Sequence, residues 1–262
     1  MKTRGNIGVG ILVVVIVLIV GLFFAKELLQ KNFELPKIGQ RNEIKENQGQ
    51  QPTEDQKPVL KNFGVNINAW NKQTNLAGDL IFTKDLIFED DNLMNKWVFV
   101  EFGGQGQGKD DPMKNIEYWF FVPLGTDVMA PSEGIVSIGY IEHTKDWWVS
   151  IVQENSPWLV SLEHVVDMVV KEGDIVKAGD IVGKASPRVI NQSAMVELAI
   201  WTGGRNIYKY CPFDFLDESL KPVYKEKLNK LASDWEEFVG MNIYDEDKWV
   251  SPGCLVERIL EK

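Results

Sequence analysis

Two side chains whose types serve acid–base and metal chemistry, His164 and Glu197, lie in segments that could be adjacent strands. A carboxylate beside an imidazole raises the pKa of the ring, and both groups are ordinary zinc ligands. A structural alternative is open for each: His164 fills a strand position and finds a backbone partner, and strand alternation sends Glu197 to solvent. The other histidine, His143, falls in a predicted turn.

The elements that must position these side chains begin with an internal repeat. The segment 122–130 returns as 170–178, with valine, glycine, valine and alanine at the same offsets. Each copy is a short strand, a turn at Gly125 or Gly173, and another short strand, which is too small a unit to bury its own face. The two copies are therefore predicted to pair with each other in a small pseudo-symmetric β fold.

Further patterns predict that most of the domain is β structure and that one helix follows it. Strand-like runs occupy 80–82, 86–88, 97–102, 118–122, 135–140, 147–152 and 158–163, with a turn at 155–157. Helical spacing then relates Tyr224, Leu228, Leu231, Trp235 and Phe238. Ser219 is the expected cap, Pro222 falls in the first turn, and the apolar stripe is expected to pack on the β core.

The N-terminal region has the composition of a membrane anchor and a tether. Residues 7–25 carry no charge and can form a helix that crosses a hydrocarbon core of about 30 Å. Lys2 and Arg4 precede them, so the positive-inside bias predicts a cytoplasmic N-terminus. A cleaved signal peptide is the alternative, although the large Phe23 suits a cleavage site poorly. We expect a single-pass membrane protein with an extracytoplasmic C-terminal domain.

Charge and cysteine content limit the classes of partner and chemistry. The formal net charge of −10 disfavours nucleic acids and anionic lipid surfaces. Cys211 and Cys254 either form a disulfide in an oxidising compartment or remain two buried thiols, and the sequence leaves both open. Their spacing does not fit a Cys-x-x-Cys redox or structural zinc site.

Four segments carry a resemblance to a known family: 125–136, 162–165, 170–183 and 196–200. Their order and spacing resemble the core of the lysostaphin-type (LytM-type) zinc endopeptidases, which cut peptidoglycan. The resemblance covers about 115–201 and implies a mainly β fold, the duplicated hybrid motif or barrel-sandwich hybrid. Biotinyl or lipoyl domains, efflux adaptors and phosphocarrier domains share related folds, but the sequence lacks their defining features.

The same resemblance implies that the zinc centre is degenerate. It places Asn115 and Trp119 at the first histidine and the aspartate of the family, and Met195 and Glu197 at its paired histidines. Of these, only Glu197 is a zinc ligand type. His164 matches the catalytic histidine. We therefore expect no bound metal or other cofactor and a non-catalytic, pseudoenzyme role.

The inherited groove remains a candidate ligand site. We expect His164, Glu197, Asn115, Trp158 and Trp201 to line it, because tryptophan faces stack on sugar rings and anchor protein partners. Core packing of these indoles is the alternative. The first hypothesis is a protein that binds peptidoglycan or another envelope polymer, or scaffolds or regulates an envelope protein. The second is a metal-dependent peptidase with a non-standard site around His164 and Glu197.

The predicted organisation combines these elements along the chain. The mainly β barrel-sandwich hybrid is flanked by an N-terminal transmembrane helix and a C-terminal amphipathic helix. The boundaries are 1–6 cytoplasmic tail, 7–25 transmembrane helix, 26–58 flexible linker, 59–114 β-rich N-terminal part, 115–203 peptidase-like domain and 204–262 C-terminal helical extension.

Overall fold

The computed structural model describes residues 57–106, 108, 114–187, 193–203 and 206–261. All belong to the unit that runs from Gln51 to Lys262. The predicted tail, the transmembrane helix and nearly all of the linker lie outside these residues. Within the described ranges, no helix has the length and apolar character needed to cross a membrane.

Strands dominate the described unit, as the periodicity predicts. The strands before the peptidase-like region are β1 (Leu76–Ala77), β2 (Leu80–Ile81), β3 (Phe88–Glu89), β4 (Met94–Asn95) and β5 (Phe99–Val100). The longer strands follow: β6 (Tyr118–Pro123), β7 (Asp127–Met129), β8 (Gly134–Ile141), β9 (Asp146–Val152), β10 (Trp158–Val166), β11 (Ile175–Val176), β12 (Ile181–Pro187), β13 (Ser193–Thr202), β14 (Ile207–Tyr210) and β15 (Arg258–Glu261).

Strand β13 is central in the main sheet and pairs with several other strands. The path of the sheet is β11-β8-β9-β10-β12-β13-β14-β15, and β10 also pairs directly with β13. On the other side of β13, β6 pairs with it and β5 pairs with β6. Because β13 lies between β6 and β10, side chains from three strands meet on each of its faces. One face carries Tyr118, Phe120, Leu162, Leu198 and Ile200, all fully buried.

The two copies of the repeat associate as predicted, with each copy pairing with the strand that directly follows the other copy. β7 of the first copy pairs with β12 beyond the second, and β11 of the second copy pairs with β8. The contacts are reciprocal: Val136 N–H donates to Asp174 O and Gly173 N–H to Val136 O, each at 2.8 Å. Gly125 and Gly173 have φ values of 78° and 83°, so equivalent turns use glycine at a position that side chains disfavour.

The region 59–114 is less regular than predicted. Its strands β1–β5 have two residues each, and Lys84–Leu86 is a 3₁₀ helix where part of a strand was expected. What this region supplies is aromatic packing. Phe63 contacts the rings of Tyr118 and Phe120 on β6, with centroid distances of 5.3 and 6.3 Å. The described part of the region therefore forms a layer on the sheet.

Helix α1 (Lys221–Val239) forms where the spacing predicts it and ends at Gly240, which has a φ of 75°. Its rings contact the N-terminal layer: Tyr224 lies 4.8 Å from Phe63, and Trp235 lies 5.2 Å from Phe82. The expectation that the apolar stripe of the helix packs on the β core is confirmed, because Tyr224 and Trp235 belong to the same buried cluster as Tyr118 on β6.

The predicted Ser219 cap of α1, in contrast, is wrong. Leu220 is the N-cap and makes no side-chain capping bond, although Pro222 does lie in the first turn. The Ser219 hydroxyl instead donates to Asp217 Oδ1 at 2.5 Å. Because its hydroxyl turns back to Asp217, Ser219 does not cap the first free amides of α1.

The two cysteines form a disulfide between Cys211 and Cys254, which decides between the alternatives that the sequence left open. Both residues are fully buried. The bridge joins the end of β14 to the segment before β15, so it links the two paired strands at the C-terminal edge of the sheet.

Candidate functional site

Cross-strand pairing on β13 builds the site. Glu197 lies opposite Glu163 on β10 and opposite Trp119 on β6. Directly opposite residues share a face of the sheet, so these three side chains converge. Glu117 is two residues before Trp119 and reaches the same face. Strand alternation thus places three glutamates from different segments together.

We call Glu117, Glu163 and Glu197 the acidic cluster. One carboxylate oxygen from each lies within 4.8 Å of the others. Glu117 and Glu197 are each 6% exposed, so the expectation that alternation sends Glu197 to solvent is wrong. The face opposite the hydrophobic core is itself covered at this point, because other side chains close over it.

Lys209 on β14 supplies a positive charge to the acidic cluster. Its Nζ lies 3.2 Å from Glu117 Oε1, and the residue is only 6% exposed. Lys209 lies opposite Trp201 on β13, and its ammonium is 5.4 Å from the centre of that indole. A buried ammonium therefore lies beside the acidic cluster and offsets part of its negative charge.

A β-bulge brings His164 to the same place. Glu163 and His164 are successive residues, so a regular strand would send them to opposite faces. The register between β10 and β9 shifts between Leu162 and Val165, and His164 has a φ of 62°. Its Nε2 consequently lies 3.4 Å from Glu197 Oε1. The predicted pairing of His164 with Glu197 is thus present.

The other ring nitrogen of His164 contacts Asp146, which the sequence reasoning missed. Nδ1 lies 2.8 Å from Asp146 Oδ2, and His164 is 5% exposed. Burial acts to raise the pKa of Asp146, but hydrogen bonds from Thr144 and His164 outweigh it and lower that pKa. The alternative in which His164 bonds the backbone is therefore wrong.

The pKa values of the glutamates in the acidic cluster shift in different directions. Burial and the charges of Glu117 and Glu197 raise the pKa of Glu163 to about 8, so this group holds its proton at neutral pH. Burial also acts to raise the pKa of Glu117, but a hydrogen bond with Glu197 and the Lys209 ammonium lower it. A hydrogen bond between two carboxyl groups needs one shared proton. The cluster is thus compensated by protons and by Lys209.

Asn115 and Trp119 occupy the first two positions that the resemblance assigns to zinc ligands. The Asn115 amide donates to the carbonyl oxygens of Glu101 and Glu117 at 3.0 and 2.6 Å, so it organises the backbone rather than lining an open groove. The Trp119 indole lies beside Glu117, outside regular hydrogen-bond geometry, and helps to lower the pKa of that carboxyl.

The two tryptophans predicted to line the groove have different surroundings. Trp201 is half-buried on the face of the acidic cluster and donates through Nε1 to Ser161 Oγ at 2.9 Å. Trp158 lies on the opposite face, 8% exposed, with its ring 4.9 Å from Tyr210 and 5.1 Å from Phe215. The assignment of Trp158 to the groove is corrected, because its even position on β10 points it into the core.

Sequence reasoning missed Glu117, Glu163 and Lys209. A register for the strand pairs would have found Glu163, because it lies directly opposite Glu197. Lys209 had a weaker signal, a single charge within the apolar run 207–210. Glu117 precedes β6, where no periodic pattern constrains its direction.

Comparison with known proteins gives one family match and several solved structures of limited similarity. Residues 118–208 match the model of peptidase family M23. The solution structure of lysostaphin is 18% identical, covers 46% of this chain and 53% of that chain, and gives a TM-score of 0.38. The catalytic domain of the antimicrobial peptidase lysostaphin from Staphylococcus simulans is 20% identical over 42% of this chain and 80% of that chain, with a TM-score of 0.33. LytU is 26% identical over 45% and 80%, with a TM-score of 0.35.

The chain spans about half the length of the lysostaphin chain in the solution structure. No curated protein matches the chain significantly. The family match covers both copies of the repeat, β13, and two of the three glutamates of the acidic cluster. This part of the chain is a LytM-type, peptidase-like domain, as the resemblance predicted.

Proposed function

We propose that this chain is a membrane-anchored, extracytoplasmic and non-catalytic relative of the cell-wall endopeptidases, which binds an envelope polymer or holds an envelope protein. One observation carries the proposal. The positions that correspond to zinc ligands hold Asn115, Trp119 and Glu197, and Glu197 is engaged by a neighbouring carboxyl and by His164.

Burial supports a role without catalysis. Hydrolysis requires the scissile bond to approach a nucleophile and a proton donor within about 3 Å. Glu197, Glu117 and His164 are all 6% exposed or less, so a polymer backbone cannot reach them without rearrangement of the site. Lys209 supplies the positive charge that a metal would supply, which removes the electrostatic need for one.

The half-buried indoles on the cluster face are the elements that support binding. Trp201 borders the acidic cluster, and the Trp148 ring lies over Gly139 so closely that an added Cβ would be 2.0 Å from it. Flat indole faces stack on sugar rings and anchor peptide side chains. Peptidoglycan is the polymer that we propose, because the domain is of the M23 type.

The anchor and the compartment are part of the proposal. The uncharged segment 7–25, with Lys2 and Arg4 before it, supports a single membrane span with a cytoplasmic N-terminus. The Cys211–Cys254 disulfide supports export, because disulfides persist in oxidising compartments. Membrane fractionation combined with protease digestion of intact cells tests this topology: removal of residues 1–30 should release the protein from the membrane fraction.

Metal analysis and a peptidoglycan assay test the main claim. We expect the purified full chain to contain no stoichiometric zinc and to release no soluble muropeptides from sacculi. It should sediment with sacculi, and Trp201→Ala should weaken that binding. Tyr208→Ala is the matched control, since Tyr208 lies opposite Thr202 and points to the other face. If both variants sedimented equally with sacculi, this face would not be the polymer-binding surface. The alternative, in which the chain holds an envelope protein, would then be favoured.

A second candidate function has its own supporting observation. Three carboxylates within 4.8 Å of one another, with His164 beside Glu197, are the donor types of a non-standard metal-dependent peptidase. Stoichiometric zinc that is lost in His164→Ala, together with chelator-sensitive muropeptide release, would establish this candidate and overturn the first.

A further inference from the structure

The outer edge of β8 combines backbone hydrogen-bonding groups with an acidic side chain. β11 pairs only with Gly134 and Ile135 of β8. Val136 still bonds to the loop at 173–174, but the described residues before Gly173 make no backbone hydrogen bond to β8. β8 continues to Ile141, so among the described residues its second half borders no strand on that side.

Strand alternation identifies which groups point outward. Val136 directs both its N–H and its carbonyl toward the loop at 173–174. Every second residue faces the same way, so Ile138 and Tyr140 also direct their N–H and carbonyl groups outward. Among the hydrogen bonds of the described residues, the Tyr140 N–H and the carbonyls of Ile138 and Tyr140 have no partner.

The remaining outward group, the Ile138 N–H, donates to a carboxylate. Glu172 Oε2 accepts the Ile138 N–H at 2.6 Å, where a neighbouring strand would place a carbonyl oxygen. In the described part of the chain, Glu172 forms no ion pair with a cationic side chain. An incoming strand can therefore replace this acceptor with its own carbonyl and leave the carboxylate free to pair with a cation.

Two aromatic side chains lie beside this edge of β8. Tyr140 is 46% exposed, and its ring lies 4.9 Å from that of Trp147 in an edge-to-face contact. Rings of this kind attract ammonium and guanidinium groups. The net charge of −10 adds a long-range attraction for a basic partner.

We propose that the edge of β8 from Ile138 to Ile141 binds an extended segment of a protein partner that carries a lysine or arginine. The segment adds one short strand to the sheet, and its basic side chain contacts Glu172 and the Tyr140 ring. A second copy of this chain suits the edge less well, because it would bring a second acidic protein and a second Glu172 to the same place. The proposal does not depend on whether the acidic cluster is catalytic.

Hydrogen exchange with a short model peptide tests the proposal on the full chain. The probe is acetylated Thr-Val-Lys-Val-Thr, and the matched probe has glutamate in place of lysine. We expect the lysine peptide to slow amide exchange in residues 137–141 about fivefold or more, since backbone pairing protects edge amides, and the glutamate peptide to have no such effect.

Variants separate the contributions of backbone and charge. Tyr140→Pro removes an outward N–H and should abolish protection, whereas Tyr140→Ala keeps the N–H and should retain part of it. Glu172→Gln should reduce the preference for the lysine peptide, and Glu226→Gln on the exposed face of α1 should not. Circular dichroism verifies that each variant is folded.

Several results would overturn the proposal. These are an absence of protection by the lysine peptide, equal protection by both peptides, or unchanged protection in Tyr140→Pro. Sedimentation that shows a dimer dissociated by Tyr140→Pro would assign the edge to a second copy instead.

Discussion

The acidic cluster and the edge of β8 differ in how their polar groups are satisfied. In the cluster, Glu117, Glu197 and Lys209 are buried and Glu163 is half-buried, and these groups compensate one another through protons and an ion pair. At the edge, backbone groups of Ile138 and Tyr140 face outward, and one is satisfied only by a side chain. The comparison teaches that the polar groups of the acidic cluster are closed off from solvent, while free hydrogen-bonding groups are left at the edge of the sheet.

Removal of the buried ammonium should have the largest effect. Lys209→Met leaves Glu117 buried without its cation, so we expect a loss of about 3–5 kcal/mol in the free energy of unfolding, measured by urea denaturation. Lys184→Met is the matched control. The ion pair of Lys184 with Asp127 is 42% and 55% exposed, and its loss should cost less than about 1 kcal/mol. Equal losses would show that the cluster is not internally compensated.

A change in pH dependence should follow from Glu163→Gln. The pKa of Glu163 is raised from 4.5 to about 8, so the folded state holds a proton that the unfolded state has lost. This contribution to stability is fully present below about pH 4.5 and is lost as pH rises through about 8. We expect the stability of the wild type, relative to Glu163→Gln, to fall by roughly 2–4 kcal/mol across that range.

Urea denaturation of both proteins at intervals from pH 4.5 to 8.5 measures this difference. Glu226→Gln, a change at an exposed helix position, serves as the control and should leave the pH profile unchanged. Parallel profiles for the wild type and Glu163→Gln would indicate that Glu163 is ionised in the folded protein, which would strengthen the metal-site candidate.

Packing beside the edge should show a smaller effect. The Trp148 ring covers Gly139, and an alanine Cβ would lie 2.0 Å from it. We expect Gly139→Ala to cost about 1–3 kcal/mol through overpacking, measured by thermal or urea unfolding. Gly203→Ala is the control, because its nearest neighbour, Leu159, would be 4.0 Å from the added Cβ. A neutral Gly139→Ala would mean that the indole moves away easily.

The smallest effect on stability is expected for a proline substitution at the edge of β8. Relative to Tyr140→Ala, Tyr140→Pro should alter stability by less than about 1 kcal/mol, because it removes an N–H that faces away from the sheet. Ser137→Pro removes an N–H that faces β9 and should cost about 3 kcal/mol or more. If both prolines were equally harmful in urea denaturation, the edge of β8 would not be open.

Much of the fold was predictable because it depends on local patterns. The repeat predicted the pairing of its two copies, strand-like runs located β6, β8, β9 and β10, the family resemblance located β13, and helical spacing located α1. The N-terminal layer was predicted less well, since its two-residue strands carry almost no periodic signal. The Ser219 cap failed because Asp217 competes for the same hydroxyl.

The site was predicted in part. His164 and Glu197 meet as expected, and the absence of a zinc-ligand type at Asn115 and Trp119 is a property of the sequence itself. Trp158 was assigned to the wrong face because a tryptophan on a strand gives no sign of which face is covered. Asp146 and Lys209 come from strands whose register no local pattern determines.

The sequence by itself determined the repeat, the helix, the residue types at positions 115, 119 and 197 and the uncharged segment 7–25, because each is a matter of residue identity and spacing along the chain. Only the tertiary structure decided that Glu117, Glu163 and Glu197 meet, that Lys209 lies beside them, and that Glu172 covers the Ile138 amide. Strand register, a β-bulge and loop direction set these contacts, and they depend on packing between segments that are distant in the chain.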